Sequence, residues 1–80
     1  MRLKCVKASI APNRYPTRST YNGSYNKKSY FINVGDIVVI DEMKAVGGTV
    51  VCRIADCITN GKSSGVLNKR WFAYDSDYFK

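Results

Sequence analysis

The sequence predicts an all-β fold: a small five-stranded barrel with a long basic insertion between its first and second strands. Three observations lead there. Runs rich in valine, isoleucine and aromatic residues recur at 30–34, 37–40, 49–59 and 71–74, and such side chains suit a pleated sheet. The pairs Gly47-Gly48 and Asn60-Gly61 fall between runs, and pairs of this kind favour tight reversals. No stretch carries the 3.6-residue apolar period of a helix of ordinary length. The 80 residues, 45% of them apolar, make a single domain, 1–80, of ordinary globular composition. A core this small leaves a fold only marginally stable.

Taken in order, residues 2–7 (RLKCVK) alternate as a first strand, with Leu3 and Cys5 on one face and Arg2 and Lys4 on the other,. The insertion, 9–29, follows. Pro12 and Pro16 oppose regular structure in its first half,. In its second half Asn22-Gly23 is the preferred pair for a type I′ hairpin,. That turn would set Arg18 beside Lys27, a like-charge pairing that destabilises a hairpin unless an anion sits there. A mobile loop without a hairpin is the equal alternative. Next, the run of four β-favouring residues Ile37-Val38-Val39-Ile40 predicts a strand buried on both faces. A two-residue turn at Gly47-Gly48 places Glu42 opposite Arg53 and Met43 opposite Cys52, one charge pair and one apolar pair that agree on the register,. Asn60-Gly61 marks a further reversal, extended by Lys62 to Gly65, and Val66-Leu67 begins a short strand. Asn68-Lys69-Arg70 forms a single helical turn or tight corner. Trp71 to Tyr74 supplies the last strand, and Tyr78 and Phe79 either fray or cover one end of the core,.

Charge is the sharper signal. Residues 1–35 hold seven basic side chains and no acid, whereas residues 36–80 hold six basic and six acidic ones, so the whole net charge of +7 belongs to the first part. Segregated charge points to a polyanionic partner such as nucleic acid, an acidic protein face or anionic lipid; the plainer reading is that it keeps a small protein soluble. Within 9–29, Arg14, Arg18, Lys27 and Lys28 are interleaved with Tyr15, Tyr21 and Tyr25. Cations meeting phosphates and tyrosines stacking on bases is the pattern of single-strand binding. Lys4 with Arg2, Arg53, and Lys69 with Arg70 would extend the patch. Tyr30 and Tyr74 are expected instead to pack as loop anchors.

The order of residues also carries a resemblance. MRLKCV at 1–6, YFINVGDIVVIDE at 30–42 and VLNKRWFAY at 66–74 resemble the short SH3-like proteins of bacteriophages and prophages. Those open with a basic strand ending in Cys and close with a basic residue before an aromatic. The resemblance implies a five-stranded SH3-like barrel, whose longest loop falls where the insertion does here, and a phage origin. It implies no single activity. Gly35 to Ile40 followed by Gly47-Gly48-Thr49-Val50 is similar to the KOW motif of ribosomal and transcription-elongation proteins, which contact RNA or polymerase, although the usual Lys-Gly loop between its halves is not evident. The insertion belongs to neither pattern.

An enzyme is not expected. The chain has no histidine, the acids are read at turns or on exposed faces, and Cys5, Cys52 and Cys57 have no neighbouring base in the sequence to form a thiolate. With no C-x-x-C pair and no histidine, neither a metal nor any other cofactor is expected. Three cysteines in a chain without a secretion signal read as free thiols in the cytoplasm,, and the glycosylation pattern at Asn22-Gly23-Ser24 is discounted accordingly. No run is long and apolar enough to span a membrane. Two functions remain: a binding protein that grips RNA or DNA, single strands above all, through the arm; or a phage-encoded inhibitor that blocks an acidic or nucleic-acid-binding host protein with the same arm, since Tyr and Arg dominate binding hot spots. A role in virion assembly is not singled out by any residue.

Overall fold

In the computed structural model, which describes residues 1–20 and 30–80, two hairpins with glycine-bearing turns build the centre of the molecule. Gly47 and Gly48 have φ of 55° and 81°, and Asn60 and Gly61 have 51° and 77°. Two left-handed residues in succession are what a two-residue hairpin loop needs to match strand twist. The first turn joins β4 (Ile37–Val46) to β5 (Thr49–Thr59), and the second joins β5 to β6 (Lys62–Ser64). Glu42 pairs with Arg53 and Met43 with Cys52, in the register the sequence predicts.

The remaining strands are short: β1 (Arg2–Lys4), β2 (Arg14–Pro16), β3 (Phe31–Asn33) and β7 (Trp71–Ala73). The larger sheet runs β1-β4-β5-β6, with β7 also on β5, and β2 and β3 form a second sheet. All pairings are antiparallel. The β4–β5 register slips between Val39 and Glu42, leaving Asp41 and Ala55 without opposite numbers. Such bulges bend a strand. Here the bend falls where β5 changes partner, from β7 along Val51–Arg53 to β6 along Cys57–Thr59. The unpaired Asp41 accepts Nε and Nη2 of Arg53 at 2.9 and 3.1 Å, which holds its carboxyl below the usual range.

The described residues are all-β, with seven strands in two sheets and no helix. Five strands were expected; the run from 30 to 42 divides into β3 and β4, and three further departures account for the rest. Arg14–Pro16 forms a strand despite Pro16, because proline is tolerated on a short outer strand. Lys62–Ser64 is a strand rather than a loop, since the Asn60-Gly61 turn directs it straight back along β5. Val66 and Leu67 lie in a turn, with Leu67 buried. Nor is Ile37–Ile40 buried on both faces: Val38 and Ile40 are buried and Ile37 and Val39 only half so, as in a sheet covered on one side.

The core gathers Cys5, Ile32, Val38, Ile40, Cys52, Ile54, Cys57 and Leu67 around an aromatic group of Tyr15, Phe72 and Phe79. Tyr15 meets Phe79 edge-on, with centroids 4.8 Å apart, and Phe72 lies 4.7 Å from Phe79. Phe79 is 1% exposed and bridges Cys5, so the end of the chain closes the core rather than fraying.

Candidate nucleic-acid interface

The arm leaves the described structure at Thr20 and re-enters it at Tyr30, and its root is built around Thr17. A β-branched threonine suits the extended chain that continues β2, and its hydroxyl can donate and accept at once. The Thr17 amide and hydroxyl donate to the Tyr30 carbonyl at 3.2 and 2.7 Å. The hydroxyl oxygen accepts Nε of Arg70 at 2.7 Å, and the Thr17 carbonyl accepts Nη2 at 3.4 Å. The Arg70 guanidinium sits 4.7 Å from the centre of the Tyr30 ring, within cation–π range. Arg18 then exchanges backbone hydrogen bonds with Trp71 at 2.7 and 2.8 Å. Both ends of the arm are therefore fastened to the turn and strand at 66–73.

Beside this root lies a groove of about 300 Å³. Tyr30 and Phe31 line it from the start of β3 and the residue before it, Ser64 and Val66 from β6 and the turn after it, and Asp36 and Thr59 lie with them. The Arg14 guanidinium sits 4.7 Å from the centre of the Phe31 ring, so each aromatic residue carries a guanidinium. No strand pairing joins β3 to β6 among the described residues.

Asp36 directly follows the turn at Val34-Gly35, where the sequence reads a break, but it is buried, at 4% exposed. Its Oδ2 accepts the Asn33 amide at 2.9 Å and the Cys57 thiol at 3.7 Å, and its Oδ1 accepts the Thr59 hydroxyl at 2.9 Å. Cys57 thus has a carboxylate beside it, which the sequence did not reveal. That neighbour does not activate it. Burial first, and the negative charge of Asp36 second, push the Cys57 thiol up to about 11. Burial likewise raises Cys5 and Cys52. All three are therefore thiols, not thiolate nucleophiles, near neutral pH.

The predicted site residues have separated. Tyr15 is a correction: it is 7% exposed, its hydroxyl donates to the Ala73 carbonyl, and its ring packs on Phe79, so it is core and offers no stacking face. It alternates with half-buried neighbours on β2, and a three-residue strand that ends in a proline was too short a signal to read. Arg14 and Arg70 are half-buried and lie over aromatic rings, and Arg18 is half-buried at the root. Arg18, Arg70 and Thr17 are brought together; exposed Lys4 is not with them, lying on edge strand β1 with its carbonyl accepting the Lys80 amide at 2.9 Å. Tyr30 is 36% exposed, with its ring against Arg70 at the root. Tyr21, Tyr25, Lys27, Lys28 and the Asn22-Gly23 hairpin lie outside the described residues.

No family model, curated protein or solved structure matches this chain.

Proposed function

We propose that this protein is a non-enzymatic, phage-type binding protein that grips single-stranded nucleic acid with its basic arm. The observation that carries the reading is the confinement of the entire +7 charge to residues 1–35, in a chain whose arm is fastened at both ends by Thr17, Arg18 and Arg70. In this reading Arg14, Arg18, Lys27 and Lys28 meet phosphates, Lys4 and Arg70 extend the basic surface, and Tyr21 and Tyr25 stack on bases. Tyr15 drops out of the site and becomes the anchor on which the arm's root is mounted. The scaffold is proposed to be an SH3-like barrel. Its support is the chain order: an opening strand, a long stretch that carries the β2–β3 pair, the β4–β5–β6 meander, a turn at 66–69 and a closing strand.

The test is titration of labelled single- and double-stranded DNA and RNA with the protein and with the double variant Lys27→Glu, Lys28→Glu. Micromolar or tighter binding of single strands, lost in the variant while its circular dichroism is unchanged, is the expected result. Absence of binding at low salt removes the reading. Capture of an acidic or nucleic-acid-binding host protein would then favour the inhibitor.

A further inference from the structure

The groove beside the arm's root has a charge layout that sorts the parts of a nucleotide. A carboxylate, Asp36, lies inside it, and guanidiniums stand over its two aromatic residues, Arg70 over Tyr30 and Arg14 over Phe31. A phosphate is repelled from the inside and attracted to the guanidiniums beside it. A neutral ring bearing an amino group is suited to the inside. The carboxylate retains capacity for it: an ionised carboxylate offers about four acceptor positions, and among the described residues Asp36 Oδ1 receives a single hydrogen bond, from Thr59. The Asn33 and Ser64 side chains add further polar atoms to the lining, and Tyr30, Phe31 and Val66 give it apolar surface. Val66 is 63% exposed, an apolar side chain left uncovered at the groove's edge. A groove of about 300 Å³ accepts one base and not a duplex.

We propose that this groove takes a single unstacked base carrying an exocyclic amino group, cytosine or adenine before thymine or uracil, from the strand held by the arm. The site rests on the nucleic-acid reading above and adds to it a base-dependent step. Tyr30, the first residue described after the arm, lines the groove, and Arg70 lies against its ring. Arg70, fixed by its two bonds to Thr17, stands where the phosphate of the inserted nucleotide would lie.

The experiment compares four ten-nucleotide labelled strands at one low salt concentration: oligo(dC), oligo(dA), oligo(dT) and an abasic sugar-phosphate strand. Oligo(dC) and oligo(dA) are expected to bind about tenfold or more tightly than the abasic strand, within the range of one stacked base, and more tightly than oligo(dT). Tyr30→Ala is expected to lose the preference for oligo(dC) and oligo(dA) over oligo(dT). Val66→Glu, at an exposed position that does not threaten folding, should do the same by placing a negative charge at the groove's edge. If all four strands bind equally, the groove is not a base site, while the arm still binds phosphate. If the bases matter but neither substitution changes their advantage, the bases are read elsewhere. If no strand binds, both readings fall together.

Discussion

The β4–β5 hairpin and the β2–β3 pair are both antiparallel, yet they are held in different ways. The hairpin is local. Its turn is two residues long, its partners lie close in sequence, and its register runs for nine residue pairs. The β2–β3 pair has three residue pairs and a connection of 14 residues, 17–30, between its strands. So short a ladder is marginal by itself. It stands because Tyr15 and Ile32 enter the core side by side and because Thr17 and Arg18 tie the connection to Arg70 and Trp71. One element is specified by turn chemistry, the other by contacts with the far end of the chain.

The largest effect should come from removing the long-range contact. Tyr15→Ala deletes the ring packed on Phe79 and Phe72 and should cost about 3–5 kcal/mol, enough to unfold a domain of this size; denaturant titration measures it. Thr17→Ala should cost about 1–3 kcal/mol, because Arg70 loses the acceptor of its Nε. Hydrogen exchange should show the loss first in β2 and β3, with β4 and β5 still protected. Gly48→Ala tests the local element. A Cβ there would meet nothing within 4 Å, but φ is +81°, so the cost is conformational, about 1–2 kcal/mol, and should appear equally in all probes of the fold.

A smaller effect belongs to the contact of Cys57, on β5, with Asp36, just before β4. The folded Cys57 thiol is pushed up to about 11 from an ordinary value of 9.0. Its neutral form is therefore the one favoured by folding. The contribution is present in full below pH 9.0, and is lost as pH rises through about 11,. Stability of the wild type should fall more steeply across that window than that of Cys57→Ala, and at pH 8 the native protein should resist alkylation.

These contrasts also explain what could be read from the residues alone. The Glu42–Arg53 register followed from counting outward from Gly47-Gly48, because a two-residue loop leaves no freedom. Phe79 as a lid on the core was open beforehand, since aromatic residues near an end can either pack or fray. Tyr15 was assigned to the wrong environment. Its basic neighbours suggested a solvated arm, while its burial depends on Phe72 and Phe79, more than fifty residues away in sequence,. The burial of Asp36 was not legible for a similar reason: a Gly-Asp pair reads as a break, and the side chains that donate to it, Thr59 and Cys57, come from another strand. The Thr17–Arg70–Tyr30 clamp had no local signature, and only the charge at Arg70 drew attention to it.

The central claim is that the segregated charge grips a phosphate backbone. Its most direct test is the salt dependence of single-strand affinity. If Arg14, Arg18, Lys27 and Lys28 each neutralise one phosphate, a plot of log affinity against log salt has a slope of about −3, and Lys27→Glu with Lys28→Glu roughly halves it. A slope near zero, or the same slope in the variant, would contradict the account.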